Sequence, residues 1–308
     1  MLHEHRFRAM NTDVGAWLWS SSPQAGTQLQ AVETSFATIE SELSRFRPES
    51  GLSMLNASAG AGPQPVSPLL QEVLVRALEA AQESQGLFDP TVLGALCHAG
   101  YDRSFELITP GSTGHALGPR TGLAAPDWRR VSLDPIARTV TLPAGLGIDL
   151  GGIAKGWAVD QAAEALAPWG PALVDAGGDM RATAAPGGEP WPIAVQNPFD
   201  PPRDFMVLTL ERGAIATSSI GRRQWQRNGQ AVHHLIDPRN GRSSQSDLHT
   251  VTTLAPSAAE AEITAKVALL LGLQEGERFL RGRNIAALLI DRTGGQTIVG
   301  PLPATPIV

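Results

Sequence analysis

Three short segments of this 308-residue chain combine reactive side chains with the glycines that would let a ligand approach them. The first is Gly147-Ile148-Asp149-Leu150-Gly151-Gly152-Ile153-Ala154-Lys155-Gly156-Trp157-Ala158-Val159-Asp160. A short apolar piece runs into a glycine pair, and a helical pattern follows at once. Glycine lets backbone approach a ligand closely, and the N–H groups at a helix start favour anions. Lys155 falls within the first turn, where the helix dipole disfavours a cation unless something negative is near. A phosphate would supply that charge. The spacing matches neither a Walker A loop nor the three-glycine dinucleotide fingerprint. A plain strand-to-helix turn with a surface lysine reads the same segment equally well.

The second segment, Asp175-Ala176-Gly177-Gly178-Asp179, follows an apolar strand and by itself marks only a turn. The third is Val232-His233-His234-Leu235-Ile236-Asp237-Pro238-Arg239-Asn240-Gly241. Adjacent histidines on one strand point to opposite faces, so at most one of His233 and His234 reaches a given site. That one can carry a proton near neutral pH. Alternatively, both bond locally ahead of the Asp-Pro turn. The chain has no serine-centred nucleophile elbow and no histidine pair at zinc-helix spacing.

These segments need elements to hold them. Residues 28–46 carry Leu29, Val32, Phe36, Ile39 and Leu43 at spacings of three and four, one apolar helical stripe. Residues 67–84 open with Ser67 as N-cap and Pro68 at the first helical position, and Gly86 closes them. Residues 153–169 form a helix after the glycine pair. Residues 257–271 begin with the capping-box pair Ser257 and Glu260 and stop at Gly272. Strands are expected over 14–19, 172–175, 193–196, 205–210, 232–236, 250–254 and 285–290. A hairpin is expected between 130–133 and 139–142, and loops over 110–126 and 184–192. Trp17, Trp19, Trp157 and Trp225 form no regular stripe and read as core. Helices and strands do not alternate one for one, which points to an α+β fold rather than a doubly wound sheet.

Composition narrows the function classes. With 24 Lys+Arg against 30 Asp+Glu the net charge is −6, and the pI is 5.7. That is no footprint for nucleic acid. The single cysteine, Cys97, excludes an internal disulfide framework and a Cys-rich zinc site. The apolar runs are too short for membrane insertion, and the first eight residues hold no signal-peptide apolar region. A cytoplasmic enzyme or binding protein is the expectation.

The order of motifs along nearly the whole chain resembles the ApbE family of FAD:protein FMN transferases. The matching pieces are Ala9-Met10-Asn11-Thr12, Leu43-Ser44-Arg45-Phe46 with Ser53-Met54-Leu55-Asn56, and Gly86-Leu87-Phe88-Asp89-Pro90-Thr91-Val92. They continue with 149–160, 175–179, Ile215-Ala216-Thr217-Ser218, 233–241 and the helix over 261–272. The resemblance implies a single ApbE-like flavin transferase domain over 1–308. Its fold would be α+β, with mixed or antiparallel sheets flanked by helices and a flavin cleft between sub-domains. It implies FAD as substrate and Mg2+ as activator of the pyrophosphate. The FMN half would pass to a threonine hydroxyl on an acceptor flavoprotein, releasing AMP, or to water in hydrolytic members. Carried over by position, Met10, Phe46, Leu87, Phe88, Asp89, Asp149, Lys155 and Ile236 would contact FAD. One of His233 and His234 would assist proton transfer.

The metal positions depart from that pattern. The family's site takes a backbone carbonyl from the glycine turn, here Gly152, then an aspartate and a threonine four residues apart on the late helix. Here those two are Glu262 and Lys266. Glutamate keeps an oxygen ligand, whereas lysine cannot ligate a hard cation and adds a positive charge where the metal would sit. Three readings follow: Lys266 acts catalytically by replacing the magnesium charge, a displaced metal binds through Glu262 and other oxygens, or the chain binds flavin without turning it over.

Overall fold

Eight strands cross one sheet in the order in which the chain makes them. They are β1 (Leu2–Ala9), β2 (Thr12–Trp19), β3 (Ala172–Ala176), β4 (Asp179–Ala182), β5 (Gly213–Ser219), β6 (Leu248–Ala255), β7 (Ala287–Asp291) and β8 (Gln296–Val299). Each runs antiparallel to its neighbours. This computed structural model describes residues 1–108, 125–200, 202–227 and 229–305. The loop expected over 110–126 therefore lies almost wholly outside the described residues. The helices among them are α1 (Ala25–Leu43), α2 (Gly51–Ala57), α3 (Pro68–Glu83), α4 (Leu93–His98), α5 (Ala154–Leu166), α6 (Ala258–Leu271) and α7 (Leu273–Gly282). Helices with antiparallel sheets make the fold α+β, as expected. A parallel contact among the described residues is the isolated bridge between Val92 and Gly147.

Backbone contacts divide the chain into two compact units. The first comprises Met1–Ala37, Lys155–Ser219 and Ser246–Val308, and the second Thr38–Ala154 and Ile220–Gln245. Each is assembled from separate stretches, so no composition shift along the sequence marks a boundary.

In the first unit, α6 packs on β5 and β6. Ala216, Thr253 and Ala287 stand side by side across β5, β6 and β7. Their small side chains let the helix come close, and Thr253 Oγ1 donates to the Ala261 carbonyl at 2.9 Å. Ile215 and Leu288 point to the opposite face, where they join Ile193 and Leu208 of the strands Trp191–Gln196 and Asp204–Leu210 in one buried cluster. The sheet is thus covered on both faces at its middle. β1 was not expected as a strand, because its sequence is mostly polar. Its burial nevertheless alternates, and Phe7 meets Phe36 of α1 edge-on at 5.5 Å. Met10 and Asn11, with φ of 50° and 58°, make the two-residue turn into β2, the geometry that hairpins favour. Trp157 and Trp225 are core as expected, but Trp19 is 42% exposed near the end of β2.

In the second unit, Ser67 caps α3 by accepting the Leu70 N–H at 3.1 Å, and Ser50 caps α2 by accepting that of Ser53 at 3.0 Å. Asn56 holds the backbone of Ile148 at both ends. Its Nδ2 donates to the Ile148 carbonyl at 2.8 Å, and its Oδ1 accepts the Ile148 N–H at 2.7 Å. This fixes the stretch that leads into the glycine pair. The expected hairpin forms between Ser132–Asp134 and Thr139–Thr141, preceded by a helical turn at Trp128–Arg130. The strand expected over 232–236 is broken: Gln230–His233 pairs with Gln224–Arg227, and Ile236–Asp237 pairs separately with Arg242–Ser243.

Gly156, in the first turn of α5, meets the start of α6. A Cβ there would lie 2.6 Å from the Ala258 carbonyl oxygen and 2.7 Å from the Ala259 Cα, both backbone atoms that cannot swing aside. Gly156→Ala should therefore lower the unfolding free energy by about 2 kcal/mol or more. Gly26 in α1 has nothing within 4 Å of such a Cβ, and Gly26→Ala should be neutral or stabilise by up to about 1 kcal/mol. Urea denaturation of the two variants checks the contrast, and equal effects would remove the steric argument.

Candidate functional site

The first constellation lies in the first unit, where α5 and α6 begin. Asp160 on α5 faces the N-terminus of α6. Its Oδ1 accepts the Ala258 N–H at 2.8 Å, and its Oδ2 accepts the Ala259 N–H at 3.0 Å. Arg181 of β4 donates to Oδ1 at 2.8 Å. Burial raises the Asp160 pKa, and the two N–H groups and Arg181 oppose the rise. One turn earlier, the Gly156 N–H donates to Glu262 Oε2 at 2.9 Å. The second helix is thereby held in place, with Glu262 turned toward the start of the first.

Lys155 completes the cluster. Its Nζ lies 2.5 Å from Glu262 Oε1 and also donates to Asp179, at the start of β4. The turn that presents Asp179 is closed by Gly178 N–H donating to Asp175 Oδ1 at 2.7 Å, with Gly177 at φ +67°. Both carboxylates are buried. Burial pushes Asp179 up to about 7, Glu262 adding to the rise and Lys155 opposing it. Burial alone would lower Lys155, but Asp179 and Glu262 outweigh it and hold the ammonium above its ordinary range. A cation in a first helical turn needs a negative partner. The structure supplies one from the protein itself, as two carboxylates.

This donor set does not fit a divalent cation. Both Glu262 oxygens are already bonded, one to an ammonium and one to a backbone N–H. The residue one turn further along α6 is Lys266. Among the described residues, no group of three or more His, Cys, Asp or Glu could hold a metal ion. Gly152 lies in the turn ahead of α5.

The second constellation lies in the second unit. Arg45 Nε donates to Asp149 Oδ2 at 2.6 Å, with the Arg45 side chain only 6% exposed. The guanidinium carbon sits 4.1 Å from the centre of the Phe46 ring and 4.5 Å from that of Tyr101. Asp149 Oδ1 accepts the Gly151 N–H at 2.9 Å. Arg45 Nη2 is buried without a hydrogen-bond partner among the described residues. A buried donor of that kind is rare and costly unless something satisfies it.

A profile of the ApbE family matches residues 10–289. The chain belongs to the ApbE family. It is 32% identical over 288 residues to the FAD:protein FMN transferase of Treponema pallidum, covering 86% of this chain and 77% of the relative. To the FAD:protein FMN transferase of Salmonella typhimurium it is 30% identical, covering 82% and 73%. The solved ApbE protein of Thermotoga maritima superposes with a TM-score of 0.86 over 97% of both chains at 24% identity. The fold is therefore ApbE-like.

The ApbE positions named from sequence fall into distinct settings. Met10 lies in the β1–β2 turn, and Lys155 and Glu262 belong to the first constellation. Phe46 and Asp149 meet at Arg45, and Leu87 is half-buried. Phe88 and Ile236 are core residues, each 1% exposed, so their side chains shape the surroundings from beneath. Asp89 is turned inward: Oδ1 accepts from Thr91 N–H at 2.7 Å and from its hydroxyl at 2.6 Å, and burial raises its pKa. His233 ends its strand buried, its ring Nε2 3.0 Å from the Ser244 carbonyl, so that nitrogen carries the proton. His234 follows the break in the strand and is half-buried. The premise that both lie on one continuous strand is corrected: the strand ends at His233, and the His234 N–H goes to the Arg223 carbonyl at 3.3 Å. Arg45 and Asp160 were missed as site residues, although both stood inside quoted motifs.

Replacing Lys155 with Met leaves Asp179 and Glu262 buried beside each other without a counter-charge. Breaking a buried pair in this way costs about 3 kcal/mol. The Asp179 carboxyl, raised by burial and relieved only by Lys155, then holds its proton more tightly folded than unfolded. The loss should be largest at high pH and shrink as pH falls toward the ordinary carboxylate range. Urea unfolding at about pH 8 and about pH 5 reads the difference, and a loss independent of pH would rule out the carboxylate origin.

Proposed function

We propose that this chain transfers the FMN moiety of FAD to a threonine hydroxyl of an acceptor flavoprotein, releasing AMP. The observation that carries this reading is the match, over more than four-fifths of the chain, to relatives named FAD:protein FMN transferase. The geometry of Lys155 supports it. An ammonium at the start of α5, beside the N–H groups of a helix N-terminus, suits the pyrophosphate of a dinucleotide. Lys155 has three N–H donors. Two go to Asp179 and Glu262, and the third is assigned to a phosphate oxygen.

In the reaction, the acceptor oxygen forms a bond to the FMN phosphorus. The bond from that phosphorus to the bridging oxygen breaks, and AMP leaves with the bridging oxygen and its electron pair. The hydroxyl proton needs a base. His234 is assigned that role, since His233 is buried with its ring anchored on the Ser244 carbonyl while His234 is half-buried. Met10, Phe46, Leu87 and Asp149 are assigned to flavin contact, with the unsatisfied Arg45 Nη2 as a donor to a flavin carbonyl or phosphate. Asp89 instead braces the loop through Thr91. No described helix is long and apolar enough to cross a membrane. The acceptor is placed in the cytoplasm, where a chain with one cysteine and no disulfide is at home.

The test begins with the small molecule released on denaturing the purified protein, which should be FAD. With FAD and an acceptor flavoprotein, AMP should appear together with flavin fluorescence that stays on the acceptor in a denaturing gel. FAD retained intact beside a competent acceptor would instead make the chain a carrier. His234→Ala should slow AMP release by about 100-fold with FAD affinity preserved. Lys155→Ala should weaken FAD binding by about tenfold, and unchanged affinity would end its phosphate role.

A further inference from the structure

We infer that Arg45 reads the flavin ring, its Nη2 donating a hydrogen bond to a carbonyl oxygen of the isoalloxazine. The inference rests on the proposed FAD site and narrows the Arg45 contact named there to one half of the dinucleotide. Three properties of the guanidinium lead to it.

The first is its unfilled donor. The Arg45 side chain is 6% exposed and spends Nε on Asp149 Oδ2 at 2.6 Å, while Nη2 is buried with no hydrogen-bond partner among the described residues. Leaving a buried charged donor unmet is costly, and an acceptor that enters with a ligand recovers that cost. Because Nη2 is closed to water, its partner arrives with the ligand rather than from solvent. The second property is its aim. Guanidinium N–H groups lie in one plane, in a fixed fork. Asp149 holds one part of that fork and is itself held by the Gly151 N–H at 2.9 Å. The Phe46 and Tyr101 rings stand 4.1 Å and 4.5 Å from the guanidinium carbon. The fork is therefore pinned, and its spare N–H keeps one direction. Phe46 is half-buried, so a flat ligand laid against that ring comes beside the guanidinium.

The third property is its charge balance. Arg45 and Asp149 cancel each other. A second balanced pair belongs to the same surroundings: Asp102 is bonded to Arg103 at 2.8 Å, and Arg103 and, more weakly, Arg45 hold its carboxyl below the ordinary range. A phosphate brought here would meet no net positive charge. A ring carbonyl needs none and asks only for an N–H. The walls agree with that choice. Tyr101 belongs to an apolar cluster with Val92, Leu96, Trp225 and Ile236, and Phe46 packs against it. Aromatic walls around one fixed polar group suit a flat heterocycle. The isoalloxazine carries carbonyl oxygens in its ring plane and adenine carries none, so the spare donor selects the flavin half.

The experiment titrates the full chain by calorimetry with FAD and with the analogues in which sulfur replaces one or the other ring carbonyl oxygen. Sulfur accepts hydrogen bonds poorly, so one of the analogues should bind about tenfold more weakly than FAD; equal affinity of all three overturns the inference. Arg45→Lys keeps a cation for Asp149 and gives up the planar fork. Its FAD affinity should fall about tenfold, its affinity for ADP should stay at the wild-type value, and the penalty of the sulfur analogue should vanish. A penalty that persists in this variant, or an ADP affinity that falls together with that for FAD, also overturns the inference. The wild-type titrations need no variant, so the test stands even where Arg45→Lys does not fold. FAD failing to bind the wild-type chain would sink the proposed function and this inference together, whereas equal binding of FAD and its sulfur analogues sinks the inference alone.

Discussion

The closeness of α5 to the start of α6 is the constraint on which the charged cluster of the first unit depends. Only a residue without a side chain fits at Gly156, because the Ala258 carbonyl and Ala259 Cα stand where a Cβ would go. That contact lets Asp160 reach two N–H groups at the head of α6, and it brings the Gly156 N–H onto Glu262. A carboxylate that accepts from the first N–H groups of a helix does the work of an N-cap supplied from another element. Here it acts beside the helix's own cap, Ser257, whose Oγ accepts the Glu260 N–H at 3.2 Å. Two independent devices thus fix one helix end, as a site built from residues 107 apart in sequence requires.

The chemistry of the cluster follows from where its charges can go. A buried ammonium is expensive unless paired, and two buried carboxylates side by side are expensive without a cation. Lys155 between Asp179 and Glu262 solves both problems at once, one ammonium holding two carboxylates that repel each other. Such a group is stiff, and with Asp179 pushed up to about 7 its net charge changes near neutral pH. In the second unit Arg45 plays a comparable part, ion-paired to Asp149 and faced by two aromatic rings, but it keeps one buried donor in reserve.

Much of the scaffold was legible in the sequence, because its signals are local. The apolar stripe Leu29, Val32, Phe36, Ile39 and Leu43 is buried throughout, and the caps at Ser67 and Ser257 are in place. The helix expected over 28–46 ends three residues early, since Ser44 turns its carbonyl to the Ser50 hydroxyl at 2.6 Å. What escaped was set by tertiary context. β1 is a polar edge strand whose inward face shows only against α1, and β5 is rich in small residues because α6 lies close upon it. At the site, the first-turn position of Lys155 shows the sign of its partner but not its source. Asp179 lies 24 residues away and Glu262 lies 107 away, and no spacing rule joins them. The order of family motifs carried that information where periodicity could not.

The sheet that runs in chain order also sets a task for the folding chain. Most of its neighbours are joined by short or moderate connections, and β1–β2 closes through a two-residue turn. Two pairings are different. Between β2 and β3 the chain makes an excursion that includes Thr38–Ala154, and between β5 and β6 another that includes Ile220–Gln245; together these two pieces are the entire second unit. Loop-closure entropy grows only slowly with length, so bridging the longer excursion rather than a tight turn costs on the order of 4 kcal/mol. That is affordable at equilibrium but heavy in the transition state, where non-local pairings set the rate. The sheet should therefore assemble as separate hairpins that wait for β2 to find β3, and during that wait the unpaired edge of β3 is the surface most open to misassembly with another chain.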